Sequence, residues 1–161
     1  MTEPFRILFV CTGNTCRSPM AEAIAREKLR ERGWTHVEVA SAGAAALTGV
    51  PASDGAVAAA EREGLDLSDH SSAQLTGERV EAADLVLVMT PAHARAVEEL
   101  GGSGKVALLG AFAAGDEAES GGRWSVPDPF GGGELEYIET FRTLERMVDR
   151  VLQRLEPVVA P

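Results

Sequence analysis

From Cys11 to Pro19 the chain reads Cys-Thr-Gly-Asn-Thr-Cys-Arg-Ser-Pro, and nearly every residue type in this stretch has a chemical use. Cys11 carries one of only two thiols in the protein; the other is Cys16. Arg17 brings a permanent charge on a planar fork that matches phosphate oxygens. Gly13 and Asn14 are residue types that let a backbone curl, glycine for want of a Cβ and asparagine because it tolerates left-handed geometry. Ser18 is able to donate a hydrogen bond to a thiolate. Backbone amides curled around an anion at the start of a helix, closed by an arginine, make an oxyanion cradle. A nucleotide-binding loop would need a glycine-rich turn ending in Gly-Lys-Ser/Thr, and no lysine lies here. A thiolate at the base of such a cradle implies attack on phosphorus through a phosphocysteine intermediate. An arbitrary cysteine is more often small buried filler; the accompanying Gly, Asn, Arg and Ser argue against that here.

The elements that must position these groups follow from the hydrophobic pattern. "RILFV" (6–10) reads as a buried strand that delivers Cys11 to its carboxyl end. Residues 19–32 read as a helix, with Pro19 suited to the first helical position and Gly33 as the stop. "VEVASAG" (37–43) is a second strand, followed by an alanine-rich helix over 52–63. "ADLVLVMT" (83–90) is a third strand, apolar on both faces as a parallel sheet requires. A helix follows from Pro91 to Leu100, then a fourth strand at "KVALLG" (105–110). Residues 113–133 are rich in glycine and read as a long loop. The stretch 134–157 is an amphipathic helix with Tyr137, Phe141, Leu144, Val148, Val151 and Leu155 on one stripe. The alternation predicts an α/β fold of three layers: a four-stranded parallel sheet with helices on both faces. Ligands of such sheets bind beyond the carboxyl ends of the strands, where Cys11 sits and where Asp128, after the last strand, can also reach.

Composition narrows the function classes. The 161 residues fit one domain spanning 1–161. Fifteen basic residues against 25 acidic ones give a net charge of −10, which argues against nucleic acid as partner. An anion site must therefore be built locally, against the overall field. No apolar run approaches the length of a membrane span, and "MTEPFR" lacks the features of a secretory signal, so a cytoplasmic location is expected; the expected state is a monomer, although the sequence itself does not fix it. Two cysteines with three scattered histidines do not suggest a metal site, and nothing calls for a cofactor.

The string "FVCTGNTCRSPMAE" fits a Cys-x5-Arg-Ser signature and resembles the low-molecular-weight protein tyrosine phosphatase family. The likeness continues through "SAG" (41–43), "ADLVLVMT" and "DPFGG" (128–132). It implies the three-layer, flavodoxin-like fold of the phosphotyrosine phosphatase I type. It implies Cys11 as nucleophile, and phosphate held by Thr12, Gly13, Asn14, Thr15, Cys16, Arg17 and Ser18. Asp128 is implied as the general acid, in a loop mobile enough to reach the leaving atom; an Asp-Pro turn is the plain alternative. Asn14, Ser41 and His70 match positions that support the phosphate loop. Cys16 matches a second cysteine able to pair with the nucleophile and shield it from over-oxidation, or is simply a small residue that fits. The implied partners are phosphorylated proteins, with free phosphate or other oxyanions as inhibitors.

Two departures bear on the substrate. Tyrosine-directed members usually carry a bulky aliphatic at the position of Thr15 and paired tyrosines after the Asp-Pro. Thr15 and "DPFGG" instead resemble the bacterial protein-arginine phosphatases of the same family. A hydroxyl at Thr15 suits a polar guanidinium, and Phe130 can stack on that flat group. Phosphoarginine is thus the expected substrate and phosphotyrosine the alternative. Arsenate reductase would need further cysteines, and a non-catalytic phosphate-binding module would not need both Arg17 and Asp128.

Overall fold

The computed structural model describes residues 3–119 and 121–159. Four strands, β1 (Phe5–Cys11), β2 (Val37–Gly43), β3 (Leu85–Val88) and β4 (Val106–Leu108), form one sheet in the order β2-β1-β3-β4. All three pairings are parallel. Side chains alternate between two apolar layers, as the period of a strand demands. Ile7, Phe9 and Cys11 face one layer; Leu8 and Val10 face the other. Leu87 and Met89 against Val86 and Val88 repeat the pattern one strand away.

The first layer is covered by α1 (Arg17–Arg32), α2 (Asp54–Arg62), α5 (Leu109–Ala113) and α6 (Glu134–Val159), the second by α3 (Gly77–Ala82) and α4 (Pro91–Glu99). On α6 the predicted stripe of Tyr137, Phe141, Leu144, Val148, Val151 and Leu155 is buried throughout. Because β2 and β3 lie on opposite sides of β1, the chain changes direction across the sheet at β1 and β3. That switch point opens a crevice at their carboxyl ends.

Several boundaries differ from the sequence pattern. Helix α1 begins at Arg17, so Pro19 is its third residue, not its first; the N–H it lacks is still one that no helix bonds internally. "LLGAF" does not extend β4 but turns into α5 at Leu109, packed against α6. The six-residue α3 buries only Val80, too little to register as periodicity. Helix α6 runs two residues past Pro157. Among the described residues, those between α5 and α6 form a loop interrupted by one 3₁₀ turn, Gly122–Trp124. Among the described residues no helix is long and apolar enough to cross a membrane.

Candidate active site

Strand β1 ends at Cys11, and the chain curls at once into a loop that closes on the first turn of α1. The curl turns on Asn14, whose φ of 56° is the one positive value among described non-glycine residues. The glycine that matters is not Gly13, as the sequence suggests. A Cβ on Gly13 would meet only Thr15 Oγ1, at 3.7 Å, and its φ is not positive. Gly43, at the end of β2, is instead pressed against the back of the loop: a Cβ there would lie 2.6 Å from the Thr12 carbonyl and 2.9 Å from the Asn14 nitrogen. Ala44 and Ala45 N–H groups bond the Cys11 and Thr12 carbonyls at 2.8 and 2.9 Å, so the backbones need that close approach.

Asn14 is fully buried and bonds through both side-chain polar atoms and its carbonyl. Its amide nitrogen donates to Ser18 Oγ (2.8 Å) and Ser41 Oγ (2.9 Å). Its side-chain oxygen accepts from the Ala73 N–H (2.9 Å), and its carbonyl accepts from His70 Nε2 (2.7 Å). Ser41 in turn donates to Glu22 Oε1 at 2.5 Å. These bonds fix the direction of each hydroxyl. Ser18 Oγ receives hydrogen from Asn14, so its own hydrogen faces Cys11 Sγ, 2.9 Å away, when the sulfur is a thiolate. The Ser18 backbone N–H, in the first turn of α1, also points at that sulfur, at 3.5 Å. Two donors and a helix N-terminus therefore converge on one sulfur atom.

Arg17 is only 3% exposed, unusual for a guanidinium. Nη1 donates to the Val126 carbonyl (2.9 Å) and Nη2 to Thr12 Oγ1 (3.4 Å); Nη2 also lies 3.6 Å from Asp128 Oδ2. Nε is buried without a partner among the described residues. A buried donor left unpaired is costly, and an oxyanion in the cradle would satisfy it. Val126 is pinned on both sides, because its N–H donates to the Met89 carbonyl at 2.9 Å. Two residues on, Asp128 Oδ1 accepts from the Phe130 N–H at 3.0 Å. The Asp-Pro turn and the ion pair with Arg17 are thus made by the same carboxylate. The arm that carries Asp128 is held at Val126 and flanked by Pro127 and Pro129, whose rings restrict φ.

Cys11, Thr12, Gly13, Thr15, Cys16, Arg17, Asp128 and Phe130 line one cleft. Phe130 is 72% exposed at its rim. Every residue expected to contact phosphate is in this cleft except Asn14 and Ser18, which lie beneath it and hold it up. Ser41 and His70 are found supporting the loop through Asn14. Both cysteines are free. Cys16 Sγ sits 3.2 Å from Ser53 Oγ and 3.5 Å from the Tyr137 hydroxyl. Burial, and then the contact with Cys16, raises the Tyr137 phenol above its ordinary pKa.

One residue at the site carries no signal in the local motif. His93, buried in the first turn of α4, places Nε2 2.9 Å from Thr12 Oγ1. Burial, followed by the Arg17 charge, holds its imidazole at about 4, against an upward pull from Asp128. The clue in the sequence is topological: the first turn after the third strand must open onto the same sheet edge as Cys11.

A parallel sheet that presents a thiol within a curled amide loop, backed by an arginine and faced by a carboxylate, defines a cysteine-based phosphatase. The family model described as "Low molecular weight phosphotyrosine protein phosphatase" matches residues 6–159, and the chain belongs to that family. It is 39% identical over 152 residues to a protein-arginine-phosphatase of Bacillus subtilis, covering 93% of this chain and 96% of the relative. It is 37% identical over 149 residues to a low molecular weight protein-tyrosine-phosphatase of Streptomyces coelicolor, covering 88% and 87%. Among solved structures it superposes with TM-score 0.87 on a YwlE arginine phosphatase, a cysteine-to-serine mutant with a phosphorylated active-site serine. That match has 38% identity and covers 96% of this chain and 97% of the other.

Proposed function

We propose that the protein hydrolyses phosphoarginine on proteins. Cys11 Sγ attacks phosphorus, the P–N bond breaks, and Asp128 gives its proton to the departing guanidine nitrogen. The loop amides and Arg17 hold the phosphoryl oxygens in both the ground and the transition state. Water then attacks the phosphocysteine while Asp128 takes its proton. The S–P bond breaks, and Ser18 and the α1 N-terminus receive the thiolate as leaving group.

The observation that carries the arginine reading is that Thr15 and Phe130 line the same cleft as Cys11 and Asp128. A short hydroxylated side chain leaves room for a planar polar group, and an exposed ring offers it a stacking face. The likeness to proteins named as arginine phosphatases supports it. A thiol nucleophile also needs a reducing compartment, which supports the cytoplasm as its place of work. Cys16, lining the same cleft, is the candidate redox partner of Cys11.

Two measurements test this. Turnover of p-nitrophenyl phosphate is expected at mildly acidic pH and is expected to vanish in Cys11→Ser. Measured side by side, kcat/KM should be higher on phosphoarginine protein than on phosphotyrosine peptide, with Thr15→Ile shifting the balance toward phosphotyrosine. A wild-type preference for phosphotyrosine would overturn the arginine assignment and leave tyrosine-directed hydrolysis.

A further inference from the structure

His93 has two ring nitrogens and both are engaged. The Thr90 backbone N–H donates to Nδ1 at 3.2 Å, so Nδ1 is the acceptor and the ring proton sits on Nε2. Nε2 then donates to Thr12 Oγ1 at 2.9 Å. The same oxygen accepts from Arg17 Nη2 at 3.4 Å. One imidazole therefore ties the start of α4 to the second residue of the phosphate loop, and through that hydroxyl to the guanidinium.

Capping of α4 does not account for the choice of histidine. The third position of a helix favours Glu or Gln for bonding back to the cap nitrogen. Glu would serve the cap but has no hydrogen to offer Thr12. Lysine would offer hydrogen but place a second cation beside Arg17. A neutral ring supplies acceptor and donor together. The charged groups facing it are Arg17 of α1 and Asp128 of the acid arm.

We infer that His93 is a positioning residue for the phosphate site, orienting the Arg17 guanidinium through the Thr12 hydroxyl. This rests on the phosphatase reading above, which makes Arg17 the phosphate-binding cation.

The test compares wild type with His93→Gln, His93→Leu, Thr12→Val and the Thr12→Val/His93→Leu double variant. Affinity for inorganic phosphate is measured by calorimetry, kcat/KM on p-nitrophenyl phosphate, and folding by thermal melts. His93→Leu should lose about tenfold in phosphate affinity and in kcat/KM, the scale of one hydrogen bond to a charged group. Gln carries an acceptor and a donor on one amide and should stay within about twofold of wild type. In the Thr12→Val background, His93→Leu should cost less than about twofold, because the relay is already cut. A folded His93→Leu with wild-type phosphate affinity would overturn the inference. So would Gln no better than Leu, or an undiminished loss in the double variant. If His93→Leu does not fold, Thr12→Val alone decides: it must weaken phosphate binding about tenfold, and unchanged affinity refutes the relay. A wild type that binds phosphate without turning substrate over sinks the phosphatase reading, and the phosphate affinities still judge His93. A wild type that binds no phosphate overturns both.

Discussion

Replacing Gly43 with alanine puts one methyl group against the back of the phosphate loop. The new Cβ would lie 2.6 Å from the Thr12 carbonyl oxygen, 2.8 Å from Ala46 Cβ and 2.9 Å from the Asn14 nitrogen. Contact at about 3.5 Å requires the loop to retreat by about 0.6–0.9 Å. Gly43 cannot retreat in its place. Its N–H and carbonyl bond Ala73 and Leu75 at 2.9 and 2.8 Å, and it pairs with Cys11 across the sheet. The loop therefore moves, carrying the amides that define the cradle. A displacement near 1 Å at reacting groups costs about a hundredfold in rate. Overpacking of this kind costs about 1–3 kcal/mol, a fall in Tm of several degrees in a domain of this size. The assay is kcat/KM on p-nitrophenyl phosphate alongside a thermal melt. Gly77→Ala, whose Cβ would meet nothing within 4 Å, is the control for the melt. Gly43→Ala with wild-type kcat/KM and Tm would refute the claim that the sheet edge sets the shape of the loop.

Further outcomes follow from the same geometry. Asn14→Ala removes the buried amide that orients Ser18 and Ser41 and leaves a β-carbon residue at φ 56°, so kcat should fall about a hundredfold with a stability loss of about 2 kcal/mol or more, read by kinetics and denaturant melts. Asp128→Asn keeps the acceptor for the Phe130 N–H but has no proton to give. It should retain phosphate affinity while kcat drops by about 10²-fold or more, most on substrates with poor leaving groups. His93 sets a pH dependence of stability. Its folded pKa of about 4 lies below the unfolded 6.5, so the unfolded chain takes up the proton first as pH falls. The stabilisation is complete above 6.5 and is lost between 6.5 and about 4, by up to about 3 kcal/mol. His93→Gln should flatten that part of a stability–pH curve measured by urea melts.

What could be seen in the sequence was what neighbouring residues decide. The strand at 6–10, the loop that follows Cys11 and the buried stripe of α6 are local patterns, and each stands within a residue or two of where its spacing puts it. The supporting roles of Ser41 and His70 came from resemblance rather than spacing, since both act on Asn14 from 27 and 56 residues away. His93, Glu22 and Val126 belong to the site through contacts between elements, and no local period encodes those. Gly13 and Gly43 show the same limit. The motif draws attention to the glycine inside it, while the crowded one is brought up by a different strand. Helices α3 and α5 are too short to display a period at all.

The double anchoring of Val126 divides the stretch before α6 into two parts with different freedom to change over evolution. Upstream, across the surface turns at 114–119, residues can be gained or lost, because the bonds to Met89 and Arg17 restore the alignment of whatever follows. Downstream, from Val126 to Pro129, there is no such slack. One inserted residue would carry the Asp128 carboxylate on by about 3.3 Å, about as far as it now stands from Arg17. Length variation among related chains should therefore collect before Val126 and stop there.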